Sequence, residues 1–339
     1  MSTTNRSDFS EKMFYHKSHW FPAMNNLLRK VLVKIYGLLG EKEIRILSQI
    51  INAQYSQRTP LPLEQPHYAY WERQAYTWDK TVSPVRPSNE DIKIYRNLLR
   101  GEGRKHHILI LGSTPELRDL VSRETNAKIY LADFSVSMPS AMLSFTRDVD
   151  VFRETWVKSN WLDLPFPEKF FDVILGDVVL HQVSPSLESA LLEKIKYMLK
   201  DDGAFITRLF FLDDNFTRQD LENITSLVLS GSFSNEEKTS LIALQTVWLF
   251  ADLKKRRFNR KVAEKRFGEM MTKRNDNNPI LRRVHDILIN DKNSYRVWSP
   301  PDEKELTHTL AQSFQIITRK HASNSIYSEY FPIVLLRPE

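Results

Sequence analysis

The stretch that decides the fold is HHILILGSTPELRDL, His106 to Leu120. An apolar run over Ile108–Leu111 meets a single glycine, Gly112, then Ser113, Thr114, Pro115 and Glu116 open a helical pattern. A buried strand feeding a helix through a tight turn is the place where open α/β sheets hold nucleotide-like ligands. Gly112 lets a ligand approach bare backbone. Pro115 suits the first helical turn, where its missing N–H had no partner to lose. The amides around Thr114 and Glu116 can then face a polar or acidic ligand group.

Outward from this turn, strand-like and helix-like runs alternate. HILILG is followed by the helix PELRDLVSRET, the strand AKIYLAD, the helix SMPSAMLSF and the strands VFRETWV and FFDVILGD. The helix SPSLESALLEKIKYMLK and the strand GAFITRLFF come next. Continuously apolar strands alternating with helices predict a parallel sheet covered on both faces. Two final strand-like runs, FQIITRKHA and YFPIVLLRP, lie too close together for a helical crossover and should pair antiparallel. Ser88 with Asp91 three residues later reads as a capping box for the helix before the first strand.

The remaining stretches flank or interrupt this pattern. Residues 1–60 read as a helical extension, and 61–100 hold an aromatic, proline-rich wrapping segment and the first helix. Residues 101–339 form the α/β domain, with a helical insertion at about 231–300. The absence of cysteine excludes disulfides and thiolate metal sites and suits a reducing, cytoplasmic compartment. No run is long and apolar enough for a membrane span. His16 and His19, and the adjacent His106 and His107, offer no third ligand, so no metal is expected. The net charge of +6 is uneven, with lysine and arginine concentrated in Leu253 to Phe267. Such a run reads first as a solvated helix face and second as a docking surface for a polyanion.

Chemistry-bearing residues fall at the carboxyl ends of successive strands. Asp133 closes the second strand about twenty residues past the glycine turn, where a carboxylate clamps ribose hydroxyls. Phe134 follows it, where an adenine ring can lie. Asn160 precedes Trp161 and LDLPFP, and its amide can accept from an adenine amino group. Gly176 and Asp177 end the fourth strand, and His181 follows in VVLHQV.

These residues resemble the class I, seven-stranded S-adenosylmethionine-dependent methyltransferases. NWLDLPFPEKFFDVILGDVVLHQV is similar to that family's polar adenine contact, Leu-Pro-Phe, Phe-Asp-Val and Leu-His pattern. YLADFSVSMPSAM resembles its acidic loop, and LKDDGAFITRLF its glycine turn and fifth strand. The resemblance covers about residues 68–230 and 312–337. It implies a Rossmann-like, mostly parallel seven-stranded sheet ending in an antiparallel hairpin. Thr114 and Glu116 stand where the family carries glycines, in a Gly-x-Thr-Pro-Glu turn like that of a recognised subtype, and Asn160 stands for a more usual aspartate.

The resemblance implies S-adenosylmethionine as cofactor and S-adenosylhomocysteine as product. Its expected contacts are Gly112, Ser113, Thr114, Glu116, Asp133, Phe134, Asn160, Trp161 and Asp177. The upstream YAYWERQAYTWDK resembles the family's aromatic segment over the cofactor. There Tyr76 and Trp78, with Tyr70 and Trp71, form a lid, and Arg73 meets the methionine carboxylate; a sulfonium favours aromatic faces. His181 and Asp177 are the catalytic candidates, His181 as a base when the acceptor must lose a proton and Asp177 as an orienting group. Packing is the plainer reading of His181, and of Trp248 and Phe250 in the insertion. A small-molecule acceptor is the first expectation for the partner. An RNA or protein acceptor docked through residues 253–267, and a non-catalytic cofactor-binding scaffold, are the alternatives; a homodimer is left open.

Overall fold

The computed structural model describes Glu43, Ile46, Trp78 and residues 81–103, 105–135, 137–274, 277–290, 298–323 and 326–339. Of the expected N-terminal helical extension, all but Glu43 and Ile46 lies outside the described residues, as do Arg73, Tyr76, Tyr70 and Trp71. Ile46 packs against one face of the core.

The α/β domain opens with α1 (Asn89–Gly101), whose start carries the capping box of Ser88 and Asp91. Then follow β1 (His107–Leu111), α2 (Pro115–Glu124), β2 (Lys128–Asp133), α3 (Ser137–Met142), β3 (Glu154–Lys158) and β4 (Phe171–Asp177). After α4 (Glu188–Met198) and β5 (Leu199–Arg208), the chain enters the insertion and returns as β8 (Phe314–Lys320) and β9 (Ile333–Pro338). The seven-stranded sheet has the order β3-β2-β1-β4-β5-β9-β8. Pairings among β1 to β5 are parallel, whereas β9 runs antiparallel to both β5 and β8. The expected fold class is the one observed.

Side chains along each strand alternate between two cores, as the two-residue strand period requires. Ile108, Ile110, Ile129, Leu131, Val173 and Leu175 face α1 and α2. Leu109, Leu111, Tyr130, Ala132, Val157 and Ile174 face α4 and the insertion. Both faces are apolar because helices cover both, and this is why these strands read as unbroken hydrophobic runs.

The insertion holds two short strands, β6 (Ala251–Asp252) and β7 (Arg257–Phe258), paired as a hairpin. Its flanking helices include α7 (Asn235–Leu249) and α8 (Arg260–Arg274), α5 and α6 being Asp214–Thr217 and Leu221–Ser230. This corrects the reading of residues 253–267 as one basic helix. Its first third is a hairpin turn, and Arg256 is buried with a left-handed backbone, φ 51°. The Arg256 guanidinium bonds Glu188 and Glu305 at 2.6 Å each and the Ser299 carbonyl at 3.2 Å. A buried carboxylate on α4 demands a cation, so this arginine is drawn out of solvent.

Tyr95 of α1 is fully buried and joins the helix to the sheet. Its hydroxyl donates to the Gly176 carbonyl at 2.6 Å and accepts from the Arg208 amide at 2.6 Å. Tyr95→Phe strands both backbone groups, so urea denaturation should show a loss of about 1–3 kcal/mol in stability.

Candidate active site

Gly112 leaves β1 with φ +93°, a conformation that side chains oppose. Space is not the reason for glycine, since an added Cβ would sit 3.8 Å from the Trp161 ring, an ordinary contact. The Gly112 amide donates to the Ala132 carbonyl at 2.8 Å, and Trp161 Nε1 donates to the same oxygen at 2.8 Å. Because Leu111 pairs with Ala132 in register, the glycine turn and Asp133 are neighbours at the sheet's carboxyl rim.

Ser113 makes that adjacency a bond: its hydroxyl donates to Asp133 Oδ2 at 2.8 Å. Asp133 Oδ1 accepts from the Ser135 amide at 3.0 Å. Burial pushes the Asp133 carboxyl up to about 6, against the pull of the Ser135, Ser113 and Phe134 donors. Phe134 lies half-buried beside it. Thr114 precedes α2 without capping it by side chain, Pro115 occupies the first turn as expected, and Glu116 pairs with Arg86. Asn160 caps the short helix Trp161–Asp163, its Oδ1 accepting from the Leu162 amide at 3.2 Å.

At the end of β4 the backbone is strained. Val178 is β-branched yet left-handed, φ 53°, and its amide is held by the Arg208 carbonyl at 2.9 Å. Gly176 is required because a Cβ there would collide with the side chain of Val179. This turn delivers His181, which is 5% exposed and edge-on to Phe210 at 5.2 Å and to Phe258 at 6.2 Å. The His181 carbonyl accepts from Trp298 Nε1 at 3.2 Å.

Asp177 is not presented as an open carboxylate. Arg208, wholly buried, takes both of its oxygens, Nε to Oδ1 at 2.8 Å and Nη2 to Oδ2 at 3.0 Å. A third bond joins Arg208 Nη1 to Asp91 at 3.3 Å. Burial raises the Asp177 carboxyl to about 6, while Arg208 opposes the rise. The structure thus gathers Gly112, Ser113, Asp133 and Trp161 at one rim and Asp177 and His181 at the next strand end. Trp78 packs on Met138 and Met142 of α3. Arg208, Asp91, Tyr95, Val178 and Arg86 were not among the expected site residues. An arginine inside the apolar strand GAFITRLFF was the one visible signal.

An aspartate whose carboxyl rises on folding opposes folding once ionised. Wild-type stability should therefore fall between about pH 4 and 6 relative to Asp133→Asn, which keeps the shape and removes the charge. Thermal unfolding at neutral pH should favour the variant by ~2–3 kcal/mol, the gap closing toward about pH 4.

The profile of the methyltransferase domain family matches residues 112–207. No curated protein matches the chain. Among solved structures, the chain is similar to the N-methyltransferase NodS of Bradyrhizobium japonicum WM9 in complex with S-adenosylhomocysteine. That likeness has 11% identity and a TM-score of 0.44, over 80% of this chain and 97% of that one. It is also similar to Burkholderia thailandensis 1,6-didemethyltoxoflavin-N1-methyltransferase, with 14% identity, TM-score 0.46, and 83% and 92% of the two chains covered. The PH0226 protein of Pyrococcus horikoshii OT3 shows 12% identity and TM-score 0.46 over 77% and 94%. Among the described residues, no helix is long and apolar enough to cross a membrane. The glycine turn, the acidic second strand end and the antiparallel last strand are in place around the stretch, residues 112–207, that is similar to the methyltransferase domain family.

Proposed function

We propose that this chain transfers a methyl group from S-adenosylmethionine by direct displacement to a small-molecule acceptor. The observation that carries the reading is the bonded cluster of Gly112, Ser113 and Asp133 at the carboxyl ends of adjacent parallel strands. A bare backbone turn beside a buried acceptor carboxylate fits an adenosyl group, whose ribose hydroxyls are donors. When bound, the cofactor supplies a methyl group on a positively charged sulfur.

The chain's own residues then have separable tasks. Asp133 accepts from ribose hydroxyls, with Ser113 holding its rotamer. Phe134 and the Asn160–Trp161 turn flank the adenine. Asp177, paired to Arg208, keeps the β4 turn in shape and so acts as a positioning residue. His181 takes the proton when the acceptor must lose one. Displacement itself needs alignment more than a covalent nucleophile.

The insertion supports a small acceptor. Phe258 of its hairpin meets His181, and Phe210 stacks on Phe331 at 4.4 Å with Trp248 at 5.0 Å. An aromatic wall shared between sheet end and insertion suits an organic molecule of modest size. Trp248 is itself buried among Phe210, Phe216, Tyr327 and Phe331, so it packs the wall from behind. For an RNA acceptor, burial of Arg256 removes one charge from the basic run.

Calorimetric titration with S-adenosylmethionine and S-adenosylhomocysteine tests the reading. Both should bind the wild type, and Asp133→Ala should abolish binding. His181→Ala should keep the cofactor affinity within about twofold and slow methyl transfer to a metabolite extract by about a hundredfold. Failure of both ligands to bind would leave only a scaffold that has lost the cofactor. Steep loss of RNA binding with rising salt would instead favour the nucleic-acid acceptor.

A further inference from the structure

Two buried polar side chains flank Trp248 and, among the described residues, bond to nothing. Gln245 stands one turn before Trp248 on the same face of α7 and is 1% exposed. Its Nε2 and its Oε1 are both buried without a hydrogen-bond partner. Tyr327 lies edge-on to the Trp248 ring at 6.3 Å, and its hydroxyl is likewise buried and unpartnered. The Tyr327 backbone is left-handed, φ 63°, a conformation that a bulky residue keeps only where its surroundings impose it.

Both groups belong to the ligand side of the sheet. Ile333 at the start of β9 pairs with Arg208 at the end of β5, so the turn carrying Tyr327 sits at the carboxyl rim. Phe210 meets Trp248 at 5.0 Å and His181 at 5.2 Å, so the amide's turn and the candidate base border the same aromatic wall. A way in from solvent is present too. Leu249, one turn beyond Gln245, lines a cleft of about 460 Å³ together with Phe250 and Thr217. Phe216, beside Thr217 in α5, packs on Tyr327 at 5.4 Å and on Trp248 at 6.2 Å.

Buried amides nearly always find partners. A methionine at 245 would fill this core without stranding a donor and an acceptor. The amide itself defines what would pair with it. Nε2 donates and Oε1 accepts, side by side. A carboxylate would satisfy Nε2 alone, and an ammonium Oε1 alone. A planar ring edge with a carbonyl next to an N–H satisfies both at once, as when glutamine reads the edge of a base. We infer that Gln245, with the Tyr327 hydroxyl, recognises the acceptor, and that the acceptor is a flat heterocycle carrying such a lactam edge. This rests on the proposal that the insertion holds a small acceptor. The Tyr327 hydroxyl donates to or accepts from a further ring atom, and the neighbouring rings cover the ligand's apolar faces.

The probe is 2-quinolone, which has the lactam edge; quinoline lacks it, and N-methyl-2-quinolone has its N–H blocked. Calorimetry on the full chain should show 2-quinolone binding at least about tenfold more tightly than either comparator. Gln245→Met should weaken 2-quinolone about tenfold and leave quinoline and S-adenosylhomocysteine within about twofold; Tyr327→Phe should weaken 2-quinolone about threefold. Urea unfolding supplies a readout that needs no ligand. Gln245→Met should be at least as stable as the wild type, because it removes two unpartnered groups and keeps the shape. A Gln245→Met variant less stable than the wild type would mean that the amide has a structural partner, and would overturn the inference. Equal affinity of the wild type for 2-quinolone and quinoline would overturn it as well. A wild type that binds S-adenosylhomocysteine but not 2-quinolone defeats this inference alone. One that prefers 2-quinolone but binds neither S-adenosylmethionine nor S-adenosylhomocysteine defeats the methyl-transfer reading and supports the lactam site.

Discussion

Arg208 lies wholly inside the protein at the end of the fifth strand, with Asp177 gripping it on one side and Asp91 meeting it from another element. An isolated guanidinium at that depth is untenable, and so is either carboxylate alone. Removing one member of such a cluster leaves an uncompensated buried charge, at a cost of about 3–5 kcal/mol. The cluster therefore ties the start of α1 to the ends of β4 and β5. Tyr95 reinforces the tie through two backbone groups, and the Phe331 ring lies 5.4 Å from the guanidinium carbon. Everything beyond the β4 end, including the strained Val178 and the His181 turn, hangs from this join.

Strain at Val178 has meaning in that setting. A β-branched residue in the left-handed region persists only where its surroundings over-determine it. Here the Arg208 carbonyl holds the Val178 amide while the Arg208 side chain holds Asp177 one residue earlier. The same arginine thus grips the turn by both its backbone and its head group. Charged side chains recur in this way around the rim. Ser113 binds Asp133, Arg86 binds Glu116, and Arg256 joins the hairpin of the insertion to Glu188 beneath it. A rim with one glycine in its first turn is braced by polar side chains.

The insertion is coupled to the sheet through the same chemistry. Arg256 bonds Glu188 of α4 and Glu305 of the helix Glu303–Leu310, while the Ser299 amide returns to the Arg256 carbonyl at 3.0 Å. One residue earlier, Trp298 holds the His181 carbonyl. The hairpin, Trp298 and Ser299, and the histidine turn are therefore bonded to one another.

How much of this was legible in the chain follows from the range of each interaction. The succession of strands and helices in the parallel half, both apolar faces, the Ser88 capping box and the Pro115 helix start are written in local periods and short spacings. The meeting of Gly112 with Asp133 follows as well, since adjacent parallel strands put their carboxyl ends at one rim. The antiparallel last pair was readable from the short gap between two apolar runs. What no local pattern carried is which charges would be buried and with whom. Asp91 and Arg208 stand 117 positions apart, and Arg256 and Glu188 stand 68 apart. A basic run looks the same whether its arginines face water or a hidden carboxylate, and Asp177 looks the same open or clamped. Hydrophobic periodicity is a property of neighbours along the chain and can be read there; charge pairing depends on which distant elements the fold brings within about 3 Å, so only the tertiary structure decides it.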